Sequence, residues 1–458
     1  MRTVLVANRG EIAVRVIRAA RELGLRTVAV ASEADAEALH ARLADESVVI
    51  GPASAARSYL NADAVLAAAA KTGADAIHPG YGFLSERADF AEQVAAAGLT
   101  FVGPSPEAIR MMGDKAAARA TAAAAGVPTV PGSDGQVAGL DEALAAAERA
   151  GYPVVVKAAA GGGGRGIRVV TSEAELRQAL PVAQAEAAAA FGSGEVYIER
   201  FVERARHVEL QVFGDGQRFV HLGERDCSLQ RRRQKVIEEA TAPGIPDGTR
   251  KEMARAAVRL AAEVAYSGAG TVEFLYDAER GDFSFLEMNT RIQVEHPVTE
   301  MVVGRDLVRE QLTVAAGEPL SFAQEDVEFR GHAIELRLNA EDPAHGFFPS
   351  PGMLETMRMP GGPFVRVDSG CEAGSVVSPF YDSLIAKVIV WGETREVALA
   401  RARRALDEVE VRGVVTTAPF LRRVLDIPET VDATYHTTFL ESWMSAQADD
   451  RGAGRRAG

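Results

Sequence analysis

The sequence predicts a molecule of mixed class, α/β in its N-terminal part and α+β beyond it. Three observations carry that expectation. Over roughly the first 110 residues short β-branched runs alternate with Ala-rich helical ones. From about residue 130 the strand-like runs arrive in closely spaced pairs, and glycine-rich turns mark the ends of the early strands. Alternating strands and helices build a parallel sheet covered on both faces, whereas paired strands build antiparallel hairpins with few crossovers.

In the N-terminal part, strands are expected at Thr3–Ala7, Thr27–Ala31, Ser47–Ile50, Ala76–Ile77 and Thr100–Val102. Helices are expected at Ile12–Leu23, Ala62–Thr72 and Ala88–Ala97. Asn8-Arg9-Gly10 and His78-Pro79-Gly80-Tyr81-Gly82 fall at strand ends, where such sheets hold ligands. Turn chemistry at Gly126-Val127-Pro128-Thr129-Val130-Pro131-Gly132 marks a boundary. Beyond it come Val154–Lys157 and Ile167–Val170 around a glycine-rich loop, then Val196–Glu199, His207–Phe213 and Arg218–Leu222. The last part holds strands at Ala333–Asn339, Phe364–Asp368 and Leu384–Val390 and an Arg-rich helix near Val397–Val409. A polar, Gly- and Arg-rich tail over 443–458 is expected to be disordered.

The chain has 458 residues, enough for two to four domains at ~100–200 residues each. Hydrophobic residues make up 47% and charged residues 25%, the proportions of a globular chain. A net charge of −14 without a basic tail argues against non-specific nucleic-acid binding. Two cysteines exclude a disulfide framework or a cysteine-based zinc cluster. No apolar stretch reaches the ~18 residues a membrane span needs, and no signal-peptide pattern opens the chain, so a cytoplasmic protein is expected. Only six of the 50 basic residues are lysines: Lys71, Lys115, Lys157, Lys235, Lys251 and Lys387.

Gly161, Gly163 and Gly166 formally satisfy G-x-G-x-x-G, but a strand follows the loop where a dinucleotide fold needs a helix. A hairpin loop with four consecutive glycines instead suits closing over phosphates, with Lys157 just before it. The run from Phe283 to His296 is more specific. Period-2 alternation in an extended chain would put Glu287, Asn289, Arg291, Gln293 and Glu295 on one face and Met288, Thr290, Ile292 and Val294 on the other. Thr271–Tyr276 and Asp282–Glu287 flank a turn, and a turn centred near residue 280 sets Glu273 opposite Glu287. Two carboxylates at ~5 Å repel unless a cation lies between them, and Glu/Glu/Asn oxygens suit Mg²⁺ or Mn²⁺. The run Glu224–Lys235 reads as a positive cluster for small anions, and Cys227 within it as a buried thiol.

Taken in order, Ala7-Asn8-Arg9-Gly10-Glu11-Ile12-Ala13, His78–Gly82, the tetraglycine loop, Glu224–Lys235, Glu287–Glu300 and Tyr381-Asp382-Ser383 resemble the biotin carboxylase family of ATP-grasp enzymes. The resemblance covers about residues 1–440. It implies an N-terminal Rossmann-like domain (1–112), an ATP-grasp domain (113–325) with a mobile lid near 130–205, and a C-terminal biotin carboxylase domain (326–442). It implies that Lys115, Lys157 and Gly161, Gly162, Gly163 and Gly164 hold ATP phosphates. Glu199 and Val202 would meet adenine, with His207, Gln230 and Arg233 nearby, and Glu273, Glu287 and Asn289 would bind two Mg²⁺ or Mn²⁺ ions. Lys235, Arg291, Gln293 and Val294 would bind bicarbonate, Glu295 would be its base, and Arg337 would stabilise the biotin enolate. Ala160 stands where the family often has glycine, and Arg233 where it often has histidine.

The resemblance implies ATP- and bicarbonate-dependent carboxylation of biotin, the first half-reaction of an acyl-CoA carboxylase. No lysine has a methionine neighbour, so biotin is expected on a separate carrier protein, with the carboxyltransferase on another chain. A homodimer is also implied, with Arg18, Glu22 and Arg366 at its interface. The alternatives are another ATP-grasp ligase of the carbamoyl-phosphate type, the corresponding subunit of a pyruvate carboxylase, and a nucleotide-binding regulator without turnover.

Overall fold

The computed structural model describes every residue except Asp134, Ala138, 159–166, 192–193 and 457–458; the side chains of 158, 167, 190, 191 and 448–456 are likewise outside it. The four loop glycines and Ala160 therefore lie outside the described residues.

Five parallel strands form the N-terminal sheet: β1 (Thr3–Val6), β2 (Arg26–Ala31), β3 (Glu46–Val49), β4 (Ala76–His78) and β5 (Thr100–Phe101), in the order β3-β2-β1-β4-β5. The central strand is buried on both faces. Val4 and Val6 pack with Ile12, Val16 and Ile17 of the helix Gly10–Glu22, while Leu5 faces Tyr59, Val65 and Phe90 on the other side. That alternation is why the run reads as continuously apolar. A second, antiparallel sheet consists of β6 (Val154–Ala158), β7 (Ile167–Val170) and β8 (Val196–Arg200), with β6 central.

The third sheet holds the site. Its strands are β9 (Ala205–Asp215), β10 (Phe219–Arg231), β11 (Gln234–Ala240), β12 (Ser267–Asp277), β13 (Asp282–Asn289), β14 (His332–Asn339), β15 (Val365–Ser369) and β16 (Leu384–Gly392). Their order is β13-β12-β9-β10-β11-β14-β16-β15, and every pair is antiparallel. Because β11 pairs with β14, one continuous sheet joins the central and C-terminal parts of the chain.

Three readings change. The strand β13 ends at Asn289, and 290–295 bends away, so the expected extended face from Glu287 to Glu295 stops there. Hairpin pairing with β12 ends at Thr271–Asn289, which leaves no ladder to keep the chain straight. The basic run Glu224–Lys235 is no uniform positive patch: it forms the end of β10, a two-residue turn at Arg232-Arg233 and the start of β11. Arg225 is wholly buried, whereas Arg233 is exposed. Finally, a helix spans Phe439–Arg456 where disorder was expected. Leu440 is buried in the C-terminal core, and Trp443 and Met444 pack against it, which anchors the helix start. Among the described residues no helix is long and apolar enough to cross a membrane.

Candidate active site

Register across four neighbouring strands assembles the centre. Glu287 of β13 stands opposite Glu273 of β12, Glu273 opposite Glu209 of β9, and Glu209 opposite Arg225 of β10. Three carboxylates in one row, neighbours at ~5 Å, need cations to be tolerated. Lys235, from the start of β11, supplies one: its Nζ lies 2.7 Å from Glu209, 3.4 Å from Glu273 and 2.5 Å from Glu295. Arg225 supplies another, donating to Glu209 (2.5 Å), Gln211 (2.7 Å), Thr299 (2.9 Å), Thr271 (3.1 Å) and Gln293 (3.1 Å). Its guanidinium uses every face without reaching solvent, a geometry that a planar fork permits and an ammonium does not.

Past the bend, the side chains still converge. Gln293 Nε2 donates to Glu273 Oε1 at 2.8 Å, and Asn289 Nδ2 to the same oxygen at 3.0 Å. Arg291 donates to Asn289 Oδ1 (2.6 Å) and to Glu86 (2.9 Å), bringing in the N-terminal part. Glu295 is held from both sides, by Lys235 at Oε1 and by Arg337 of β14 at Oε2 (2.8 Å). Arg337 also donates to Glu238 at 2.5 Å. Burial opposes ionisation of Glu295, but the two cations outweigh it and hold this carboxyl well below its ordinary range. Glu273 is held low in the same way by Lys235 and by His207, whose Nε2 lies 2.7 Å away. His207 in turn has its Nδ1 2.9 Å from Gln230. Cys227 is buried beside Glu295, its thiol pushed up mainly by burial, which fits an unreactive role.

Glu287 behaves differently. Its carboxylate makes no hydrogen bond or ion pair among the described residues, and partial desolvation together with the charge of Glu273 raises it. An unpartnered carboxylate facing a second one, with the Asn289 amide beside it, is an oxygen set suited to a hard divalent cation. The remaining candidates stand apart from this cluster. Lys115 opens the helix Lys115–Ala124, which Asp114 caps through the Ala117 N–H, and its charge reaches Glu287. Lys157 of β6 pairs with Glu199 of β8, which also accepts from Arg119 at 2.9 Å, and Val202 follows β8. Arg366 pairs with Glu300 and Asp368 within the chain, while Arg18 and Glu22 are exposed. A cavity of about 950 Å³ bordered by Arg250, Lys251, Arg255 and Phe329 holds none of the cluster.

Glu209, Arg225, Glu238 and Lys387 were missed from sequence. The alternation His207-Glu209-Gln211 is a period-2 polar face that could have revealed Glu209, but Lys387 carries no local signal at all.

Family comparisons decide what this arrangement belongs to. Residues 1–109 match the biotin carboxylase N-terminal domain, 114–323 the ATP-binding domain of the carbamoyl-phosphate synthase L chain, and 335–442 the biotin carboxylase C-terminal domain. The chain belongs to the biotin carboxylase family. Biotin carboxylase 1 of Bacillus subtilis is 54% identical over 97% of this chain and 99% of its own. The biotin carboxylase domain dimer of a Hydrogenobacter thermophilus 2-oxoglutarate carboxylase, solved with MgADP, ADP and bicarbonate, superposes with a TM-score of 0.87 at 48% identity, over 96% and 97% of the two chains. The biotin carboxylase subunit of a pyruvate carboxylase does so with a TM-score of 0.87 at 49% identity, over the same shares. Membership makes the chain an ATP-dependent ligase with the ATP-grasp fold.

Proposed function

We propose that the protein carboxylates biotin with ATP and bicarbonate, as the first half-reaction of an acyl-CoA carboxylase. The observation that carries this reading is Glu295, an ionised carboxylate held between Lys235 and Arg337 beside Gln293 and Arg291. Bicarbonate is an anion that must approach an anionic phosphate, so the centre has to neutralise and align both. In this reading Lys235, Arg291, Gln293 and the Val294 backbone hold bicarbonate. Glu295 takes its proton, and the resulting carbonate attacks the γ-phosphorus of ATP to give carboxyphosphate and ADP. Carboxyphosphate then breaks down to CO2 and phosphate, and the phosphate takes the ureido proton of biotin. Arg337 stabilises the negative charge that develops on the ureido oxygen, and the nucleophilic ureido nitrogen attacks CO2. Glu273, Glu287 and Asn289 would hold Mg²⁺, which neutralises phosphate charge when bound. Lys115, Lys157, Glu199, Val202, His207, Gln230, Arg233 and the loop glycines complete the ATP set.

The same reading divides the chain at 112 and 325, which the gaps between the matched family domains support. It includes a cytoplasmic homodimer supplied with biotin by a carrier protein; the dimeric relative supports the oligomer. Likeness to a pyruvate carboxylase subunit favours a second reading of the acceptor, pyruvate in place of an acyl-CoA, with unchanged chemistry at this centre. Bicarbonate-dependent ATP hydrolysis, measured with and without free biotin, tests the reaction. Biotin is expected to stimulate it. Hydrolysis indifferent to biotin favours a carbamoyl-phosphate-type ligase, and no hydrolysis favours a regulator.

A further inference from the structure

Lys387 is one of the six lysines and is fully buried, in the middle of β16. It stands directly opposite Arg337 on β14 and Asp368 on β15. Its Nζ donates to the backbone carbonyl of Val294 at 2.8 Å and lies 3.0 Å from Glu11 Oε2, at the start of the helix Gly10–Glu22. Glu11 is also met by the Tyr81 hydroxyl. Glu335 of β14 is also wholly buried, with neither carboxyl oxygen hydrogen-bonded among the described residues. The helix start can come this close because Gly370 has no side chain: a Cβ there would lie 2.4 Å from the Gly10 carbonyl carbon.

Val294 sits in the segment 290–295, which has left the β13 ladder yet carries Arg291, Gln293 and Glu295. Sheet pairing cannot fix that backbone. We propose that Lys387 is a positioning residue for the reaction, its ammonium pinning the Val294 carbonyl so that Glu295 stays between Lys235 and Arg337, with Glu11 as its counter-charge. A buried ion pair adds little stability compared with an apolar pair of the same volume. What an apolar pair cannot supply is a donor aimed at a carbonyl. The compact ammonium also fits where a guanidinium fork would need more room. The inference rests on Glu295 acting as the base.

Three proteins separate position from packing: wild type, Lys387→Met, and the double variant Lys387→Met/Glu11→Leu, which removes both members of the ion pair. Each is measured for melting temperature, for kcat and KM of bicarbonate-dependent ATP hydrolysis, and for amide hydrogen exchange over 290–296. The double variant is expected to regain most of the melting temperature lost in Lys387→Met. Its kcat is expected to stay about 10- to 100-fold low with KM for MgATP within about twofold of wild type, since small misplacements of reacting groups cost that much. Exchange over 290–296 is expected to stay fast in both variants. Recovery of kcat together with melting temperature, or exchange equal to wild type in both variants, overturns the proposal. A wild type without bicarbonate-dependent hydrolysis would instead defeat the functional reading, and the exchange experiment would still report whether Lys387 holds the segment.

Discussion

At Glu295 the environment decides what one carboxylate can do. Burial alone would keep it protonated, yet Lys235 and Arg337 hold it ionised at neutral pH. In the proposed reaction this ionised group accepts the proton of bicarbonate, and its two cations would offset the charge of the carbonate that results. Replacing Glu295 with Gln keeps the shape and removes the basic oxygen. Turnover is expected to fall ~10²-fold or more while KM for MgATP stays near that of wild type. Near-normal turnover would take the role of base away from this residue. Arg337 faces two carboxylates, Glu238 and Glu295, and its expected task comes after carbonate has formed. Arg337→Ala is therefore expected to lower biotin carboxylation further than bicarbonate-dependent ATP hydrolysis. Equal losses in the two assays would contradict a role at the enolate.

Two hairpins show how local geometry places those residues. In β12–β13 the turn end pairs Asp277 with Asp282, a register that would set Glu273 against Leu286. A shift between Glu273 and Phe274 brings Glu287 opposite instead and leaves Leu286 40% exposed. The bulge, not the turn, makes the carboxylate pair. In β10–β11 the two turn residues are Arg232 and Arg233, at φ 48° and 66°. Left-handed backbone at a residue with a side chain costs ~1–2 kcal/mol, and glycine escapes most of it. Arg233→Gly should raise the melting temperature by roughly 1–2 °C in a chain of this size. The same variant tests the nucleotide site. A raised KM for MgATP would keep Arg233 in the ATP set, and an unchanged KM would remove it.

Across the whole molecule, buried ion pairs tie the sheet to its surroundings. Glu239 of β11 accepts from His332 (2.7 Å), from Arg395 at two nitrogens (2.7 and 2.8 Å) and from the Tyr435 hydroxyl (2.9 Å). Burial pushes this carboxyl up, but the hydrogen bonds and charge of His332 and Arg395 bring it down to about 2 from an ordinary 4.5. The unfolded chain therefore takes up the proton first on acidification. Stability from this group is present above about pH 4.5, and it is lost as the pH falls from there to about 2. Its size is at most about 3 kcal/mol. Glu239→Gln should melt at a lower temperature than wild type at neutral pH. It should also lose less melting temperature through that acid window. Parallel acid curves would show that other carboxylates set the limb.

The alternating parallel sheet, the antiparallel hairpins and the polar groups from Glu287 to Glu295 are legible in the amino-acid order, because each is written in local periodicity. Strands such as Thr3–Val6 and His332–Asn339 are legible from a few neighbouring residues. Which of those groups meet depends on the packed fold. Glu209, Arg225, Glu273 and Glu287 fall in one row through strand order and two register shifts, one in β9–β10 and one in β12–β13. Arg337 and Lys387 reach Glu295 and Val294 because β11 pairs with β14 and β14 with β16. Contacts of Lys387 with segments more than ninety residues away leave no trace in a period of two or 3.6, so its neighbours in sequence assign it no role. Its burial against Glu11 and a single carbonyl depends on where three distant segments come to rest.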